Sequence, residues 1–221
     1  MAPAAAGGLS DRHPALTPPL AVSGTSFRRV RLAPSVLALA VLAGACGRSA
    51  ASELPLLFHL PEFTLVERSG RPATLAGLRG QPWIADFIFT RCAGVCPAMT
   101  ARMAALRTRL AGTPVRFVSF TVDPRNDTPE ILTRYAAAAG AGADWWFVTG
   151  PVRDLHALST EGFKLAAMEN APGAETADGP FLHSSKFVLV DGSGAIRGYY
   201  DSEDAAAVDA LEADARRLAS R

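Results

Sequence analysis

The chain has 221 residues, 49% apolar and 19% charged, an ordinary globular composition. Beyond its N-terminus the chain is long enough for one domain with a real core. The formal net charge of +1 excludes the basic footprint of a nucleic-acid-binding protein.

The N-terminus reads as export machinery. Arg28-Arg29-Val30-Arg31 forms a basic n-region, and the small and apolar residues from Leu32 to Ala45 form an h-region too short for a comfortable transmembrane helix. The segment closes on Leu42-Ala43-Gly44-Ala45-Cys46, which resembles a bacterial lipobox whose cysteine is lipidated and becomes the mature N-terminus. The alternative is a leader, cleaved elsewhere or uncleaved, in which Cys46 is incidental. The expected organisation is therefore a signal peptide over 1–45, a tether over 46–55 and one domain over 56–221.

Phe63 to Val66, a Ser69-Gly70-Arg71-Pro72 turn and Ala73 to Leu75 predict a hairpin. Pro82 to Phe89 is a near-continuous apolar run, as expected of a strand buried on both faces. Pro97 to Leu110 predicts a helix with Met99, Met103, Leu106 and Leu110 in one stripe, and Pro97 suits its first position. Val115 to Val122 predicts a second buried strand, and Pro129 to Ala138 a helix capped by Asp127 or Thr128. A short strand over Trp145 to Val148, a helix over Val152 to Thr160 and a strand over Phe163 to Met168 follow. Asn170 to Pro180, rich in Gly, Pro and Ala, is expected to be a loop. Ser185 to Val190 and Ile196 to Tyr200 flank Asp191-Gly192-Ser193-Gly194, a strong hairpin turn signal, and Glu203 to Leu218 predicts a closing amphipathic helix. This order is that of an α/β thioredoxin-like fold with an N-terminal β-hairpin and an inserted loop before the terminal β-hairpin.

The chemistry concentrates at Cys92-Ala-Gly-Val-Cys96-Pro97, on the predicted strand-to-helix turn. With Cys46 set aside, Cys92 and Cys96 are the two remaining cysteines. Two thiols this close can form a reversible disulfide or hold one soft metal ion. A helix N-terminus favours their thiolate forms, and thiolates suit Cu(I). A purely structural disulfide would close too short a loop to stabilise the chain much.

Of the four histidines, His13 leaves with the leader, His59 precedes the core and His156 sits on a predicted helix. His183, just before a strand expected to start beside the thiol loop, is either a third ligand or a surface histidine. Asp86, six residues before Cys92, is either a proton acceptor for the inner thiol or a satisfied strand residue. Asp123, at the strand end facing the thiols, either supports the site or belongs to a plain turn. Met99 and Met103 are expected in the core rather than as ligands. Trp145-Trp146 is expected to be core plus rim. Pro82, Thr90 and Cys92 do not match the peroxiredoxin arrangement.

Phe87-Ile88-Phe89-Thr90-Arg91-Cys92, Val95-Cys96-Pro97-Ala98-Met99-Thr100, Phe117 to Pro124, Asp127-Thr128-Pro129-Glu130 and His183 to Asp191 together resemble the Sco/SenC family. The resemblance runs from about Glu62 to Tyr200. It implies a thioredoxin-fold copper protein that assists assembly of the Cu(A) centre of cytochrome c oxidase. Carried over residue by residue, the copper ligands are Cys92, Cys96 and His183. Mitochondrial members often have Asp before this histidine, where Leu182 stands here. The implied partners are oxidase subunit II or another copper protein, with a lipid anchor at the membrane and no nucleic acid. The implied location is the bacterial envelope, on the periplasmic side of the inner membrane. An exported thiol-disulfide reductase and a copper or redox sensor are the competing readings.

Overall fold

The structure is a computed structural model that describes residues 53–165, 168–169, 181–182 and 184–221. The leader, Cys46, the Asn170–Pro180 loop and His183 lie outside the described residues. In chain order the elements are β1 (Phe58–His59), β2 (Thr64–Glu67), β3 (Pro72–Thr74), α1 (Leu75–Leu78), β4 (Trp83–Ile88), α2 (Val95–Arg109), β5 (Arg116–Thr121), α3 (Pro129–Ala138), β6 (Trp145–Thr149), α4 (Val152–Ala157), β7 (Met168–Glu169), β8 (Phe181–Leu182), β9 (Lys186–Val190), β10 (Ala195–Asp201) and α5 (Ala205–Ala219).

One eight-stranded sheet runs in the order β1-β10-β9-β4-β5-β6-β2-β3, and β7 pairs separately with β8. β4, β5 and β6 are parallel neighbours, while β9 lies antiparallel to β4 on its other side. This is the thioredoxin-like arrangement expected from the sequence, with the β2–β3 hairpin added beyond β6. Every residue of β4 is buried, which explains an apolar run broken only by Asp86. Its side chains alternate between two cores. Ile84 and Ile88 meet α2, α3 and α5 on one face, and Trp83, Ala85 and Phe87 meet α1 and α4 on the other. Asp86 is in phase with the α2 face. Among the described residues no helix is long and apolar enough to cross a membrane.

Beside the unannounced α1 and β8, two segments depart from the sequence expectation. Phe163 to Leu165 is not a strand. α4 runs into a π turn over Leu158–Gly162 whose end consumes the backbone groups that a ladder would need. The Phe163 N–H donates to Leu158 O at 2.8 Å and the Leu165 N–H to Ser159 O at 2.9 Å, with Lys164 between them at φ 55. The Phe163 ring instead fills the second core, edge-on to Trp83 and Phe87. The second departure is β1, a two-residue edge strand on β10 that no periodicity announced. The Asp191 turn is as the sequence suggested. One oxygen of Asp191 accepts from Ser193 N at 2.8 Å, Ser193 Oγ at 2.6 Å and Ala195 N at 3.1 Å, and Gly194 takes φ 87, where a side chain would be strained.

Candidate functional site

β4 delivers the chain to the thiol loop, and α2 carries it away. Gly94 precedes the helix without a side-chain cap, so Val95 and Cys96 are its first two residues and Pro97 the third. Pro97 thus sits two positions further in than expected, still among the N–H groups that lack an intrahelical partner. Neither cysteine is in a disulfide and both are buried, Cys92 at 7% exposure and Cys96 at 0%. The Cys92 N–H donates to Phe89 O at 3.2 Å.

The sequence expectation that the helix start would favour thiolate is not the net outcome at Cys96. Burial pushes that thiol well above its ordinary value; the Phe89 backbone opposes the shift, while hydrogen bonding and like charge from Cys92, together with the charge of Asp86, reinforce it. A fully enclosed sulfur loses more by giving up water than the helix end returns.

Asp86 lies beneath the pair with no exposed surface and no hydrogen-bond partner for either oxygen. Burial raises its pKa from 3.8 to about 7. Its register partner Ser119 acts in the opposite direction without forming a hydrogen bond of ordinary geometry. The Ser119 hydroxyl is engaged as acceptor from Trp145 Nε1 at 3.0 Å. Tyr135 on α3 stands near the same groups. Its hydroxyl pairs with Thr100 Oγ1 at 2.7 Å, and its pKa is raised to about 12, chiefly by burial and also by the charges of Asp86, Cys96 and Cys92. A hydrophobic helix position gave no sequence signal that Tyr135 would stand here.

The loop ahead of Cys92 is held from the β5–α3 segment. Asp123, 2% exposed, accepts from Arg91 Nη2 at 2.8 Å and from Asn126 Nδ2 at 2.8 and 2.9 Å. Asp123 therefore supports the loop through the residue next to Cys92. Asp127 is fully buried and grips Thr90, with Thr90 N at 3.1 Å and Thr90 Oγ1 at 2.6 Å. It also accepts a hydrogen bond from Thr121. Helix capping falls to Thr128, which accepts from Ile131 N at 3.4 Å. The sequence singled out Asp127 only as a possible cap, and that signal is the same for a residue bonding its own helix and for one bonding a distant loop.

Met99 and Met103 lie in the core, fully buried. Trp145 is buried and Trp146 half-buried, while His59 on β1 and His156 on α4 are exposed. Among the described residues no cluster of three or more His, Cys, Asp or Glu side chains could hold a metal ion. The structure thus brings Cys92, Cys96, Asp86 and Asp123 to one end of the sheet. Antiparallel pairing from Ala85↔Val188 directs the start of β9 toward the end of β4 from which the thiol loop departs.

A family model described as SCO1/SenC matches residues 56–219. The SCO1 protein homolog of Bacillus subtilis is 34% identical over 176 residues, covering 78% of this chain and 88% of that protein. A SCO1/SenC family lipoprotein from Bacillus anthracis superposes with a TM-score of 0.68 at 30% identity, over 76% of this chain and 99% of the other. BsSco, described as a member of the Sco family of cytochrome c oxidase assembly proteins with a disulfide switch, gives 0.66 at 31% identity, over 76% and 98%. ScoI of Arabidopsis thaliana, solved with copper bound, shares the fold at TM-score 0.61 and 22% identity, over 72% and 99%.

Proposed function

The chain belongs to the SCO1/SenC family, and from that membership we propose that it is a copper metallochaperone carrying one copper ion on Cys92, Cys96 and His183. The observation that carries the reading is the pair of buried thiols flanking the start of α2, neither in a disulfide and each near enough to act on the other's proton. Soft thiolates suit Cu(I), and the imidazole of His183 adds the ligand that Cu(II) prefers. The direction of β9 supports His183 as the third ligand. Loading requires the thiols to give up their protons. The chain's own residues position the pair rather than ease that step: Asp123 holds Arg91, next to Cys92, and burial keeps the proton on Cys96.

The copper is cargo, passed by ligand exchange to the Cu(A) site of cytochrome c oxidase subunit II or to another copper protein. Residues 1–45 act as a lipoprotein signal, Cys46 carries the lipid, and 46–55 tether the domain of residues 56–221 on the periplasmic side of the bacterial inner membrane. Tethering raises the effective concentration at membrane-embedded partners.

A second reading is favoured by the same two thiols with a buried acid beneath them. The dithiol reduces a partner's disulfide: a thiolate of the pair attacks, the other thiol resolves the mixed disulfide, and two electrons and two protons pass to the partner as Cys92 and Cys96 close their own disulfide. Asp86 takes the proton of Cys96 and passes it on to the partner's leaving thiolate in that step.

Copper stoichiometry of the reduced full chain separates the readings. Wild type is expected to retain one copper, and Cys92→Ser and His183→Ala to lose tight binding, with His183→Ala leaving disulfide reduction intact. A wild-type chain that retains no copper overturns the metallochaperone reading.

A further inference from the structure

One buried carboxylate has no part in the chemistry above. Asp127 is fully enclosed, yet its three side-chain hydrogen-bond donors are neutral: the Thr90 amide, the Thr90 hydroxyl and the Thr121 hydroxyl. An enclosed carboxylate is costly unless its hydrogen bonds are well made. Burial raises its pKa in spite of those three bonds. A helix cap does not explain it, because Thr128 performs that role for α3.

The arrangement of the donors does explain it. Thr90 stands two residues before Cys92, and Asp127 takes both its amide at 3.1 Å and its hydroxyl at 2.6 Å. The oxygen that takes the amide also takes the Thr121 hydroxyl at the end of β5, and Thr121 Oγ1 in turn accepts from Asp123 N at 2.9 Å. The carboxylate is thereby anchored to the sheet on one side and to the thiol loop on the other. With Thr90 held at both amide and side chain, only Arg91 separates that anchor from Cys92.

We propose that Asp127 is a positioning residue that fixes Cys92 against Cys96 by locking Thr90 to the end of β5. The proposal rests on the copper reading for its metal consequence, but the geometry of the dithiol is a property of the pair with or without copper. Without the lock, Cys92 samples more positions in the reduced chain. Bringing it to a shared copper ion, or to the second sulfur in a disulfide, then costs more ordering. Copper affinity falls, and the disulfide becomes easier to reduce.

The test compares full-length wild type, Asp127→Asn, Thr90→Val and Thr90→Ser. The midpoint potential of the Cys92–Cys96 couple is measured in a dithiothreitol redox buffer, Cu(I) affinity by competition with bathocuproine disulfonate, and folding by thermal unfolding. Asp127→Asn and Thr90→Val are expected to weaken Cu(I) binding by about 10–100-fold, the usual effect of losing a group that orients a ligand. The potential should rise by ~30 mV for each tenfold change in the exchange constant. Thr90→Ser keeps the hydroxyl and should restore both. If potential and affinity stay at wild-type values while only the melting temperature falls, or if Thr90→Ser behaves as Thr90→Val does, the positioning role is overturned. Should Asp127→Asn fail to fold, the Thr90 pair decides alone. Should wild type bind no Cu(I), the copper reading fails, and the potential still decides the role of Asp127.

Discussion

Replacing Asp86 with asparagine should make the stability of this protein less sensitive to pH, in a defined window and direction. The carboxyl has a pKa of about 7 in the folded chain against 3.8 when unperturbed. Below 3.8 it is protonated in both states, and burial incurs no charge penalty. As pH rises the unfolded chain releases its proton while the folded chain keeps it, so the unfolded state gains until about pH 7 and the curve then flattens. Each pH unit in that window is ~1.36 kcal/mol and the slope fades as the folded carboxyl itself ionises, so wild type should lose about 2 kcal/mol between pH 5 and pH 7 that Asp86→Asn does not lose. No discount for solvent screening applies, since the side chain has no exposed surface. Urea unfolding of both proteins, with the thiols kept reduced, at pH 5, 7 and 8 measures the difference. A wild-type-minus-variant difference that stays constant across the three pH values would refute the reasoning. Asp86→Asn should also lower the Cys96 pKa, because it removes a like charge acting on that sulfur; thiolate absorbance reports this.

Cu(I) affinity should rise with pH by about tenfold per unit for each proton displaced, because burial holds the Cys96 thiol protonated and loading must remove that proton. Competition titrations at pH 6, 7 and 8 check this, and a flat profile counts against Cys96 as a ligand. Phe163→Ala should destabilise the fold by about 3–5 kcal/mol, since the ring is fully buried among Trp83, Phe87 and Phe120. Chemical denaturation measures it, and a loss under ~1 kcal/mol would mean that the π turn does not hold the ring in that core.

Local signals located most of the elements. The apolar run from Trp83 to Ile88 reads as a doubly covered strand because it is one, and the Met99–Met103–Leu106 stripe marks the buried side of α2 because a helix can bury only one face. The Asp191 turn was legible because its hydrogen bonds close within a few residues. Phe163 to Leu165 misled for the converse reason. Its apolar residues suit a strand, but their backbone bonds are taken by the preceding π turn. Edge strand β1 depends on pairing with β10, at the other end of the sequence.

The thiol pair shows where that boundary falls. Periodicity, Pro97 and the family motifs are all local statements, and they were enough to place Cys92 and Cys96 at a strand-to-helix turn. Tertiary structure alone decided that Cys96 is enclosed, that Asp86 lies beneath it without a partner, and that Asp127 reaches back across 37 residues to hold Thr90. Burial and long-range hydrogen bonds arise only when β4, α2 and the β5–α3 segment pack together. They set the protonation of the inner sulfur and the position of the outer one, which no spacing along the chain encodes.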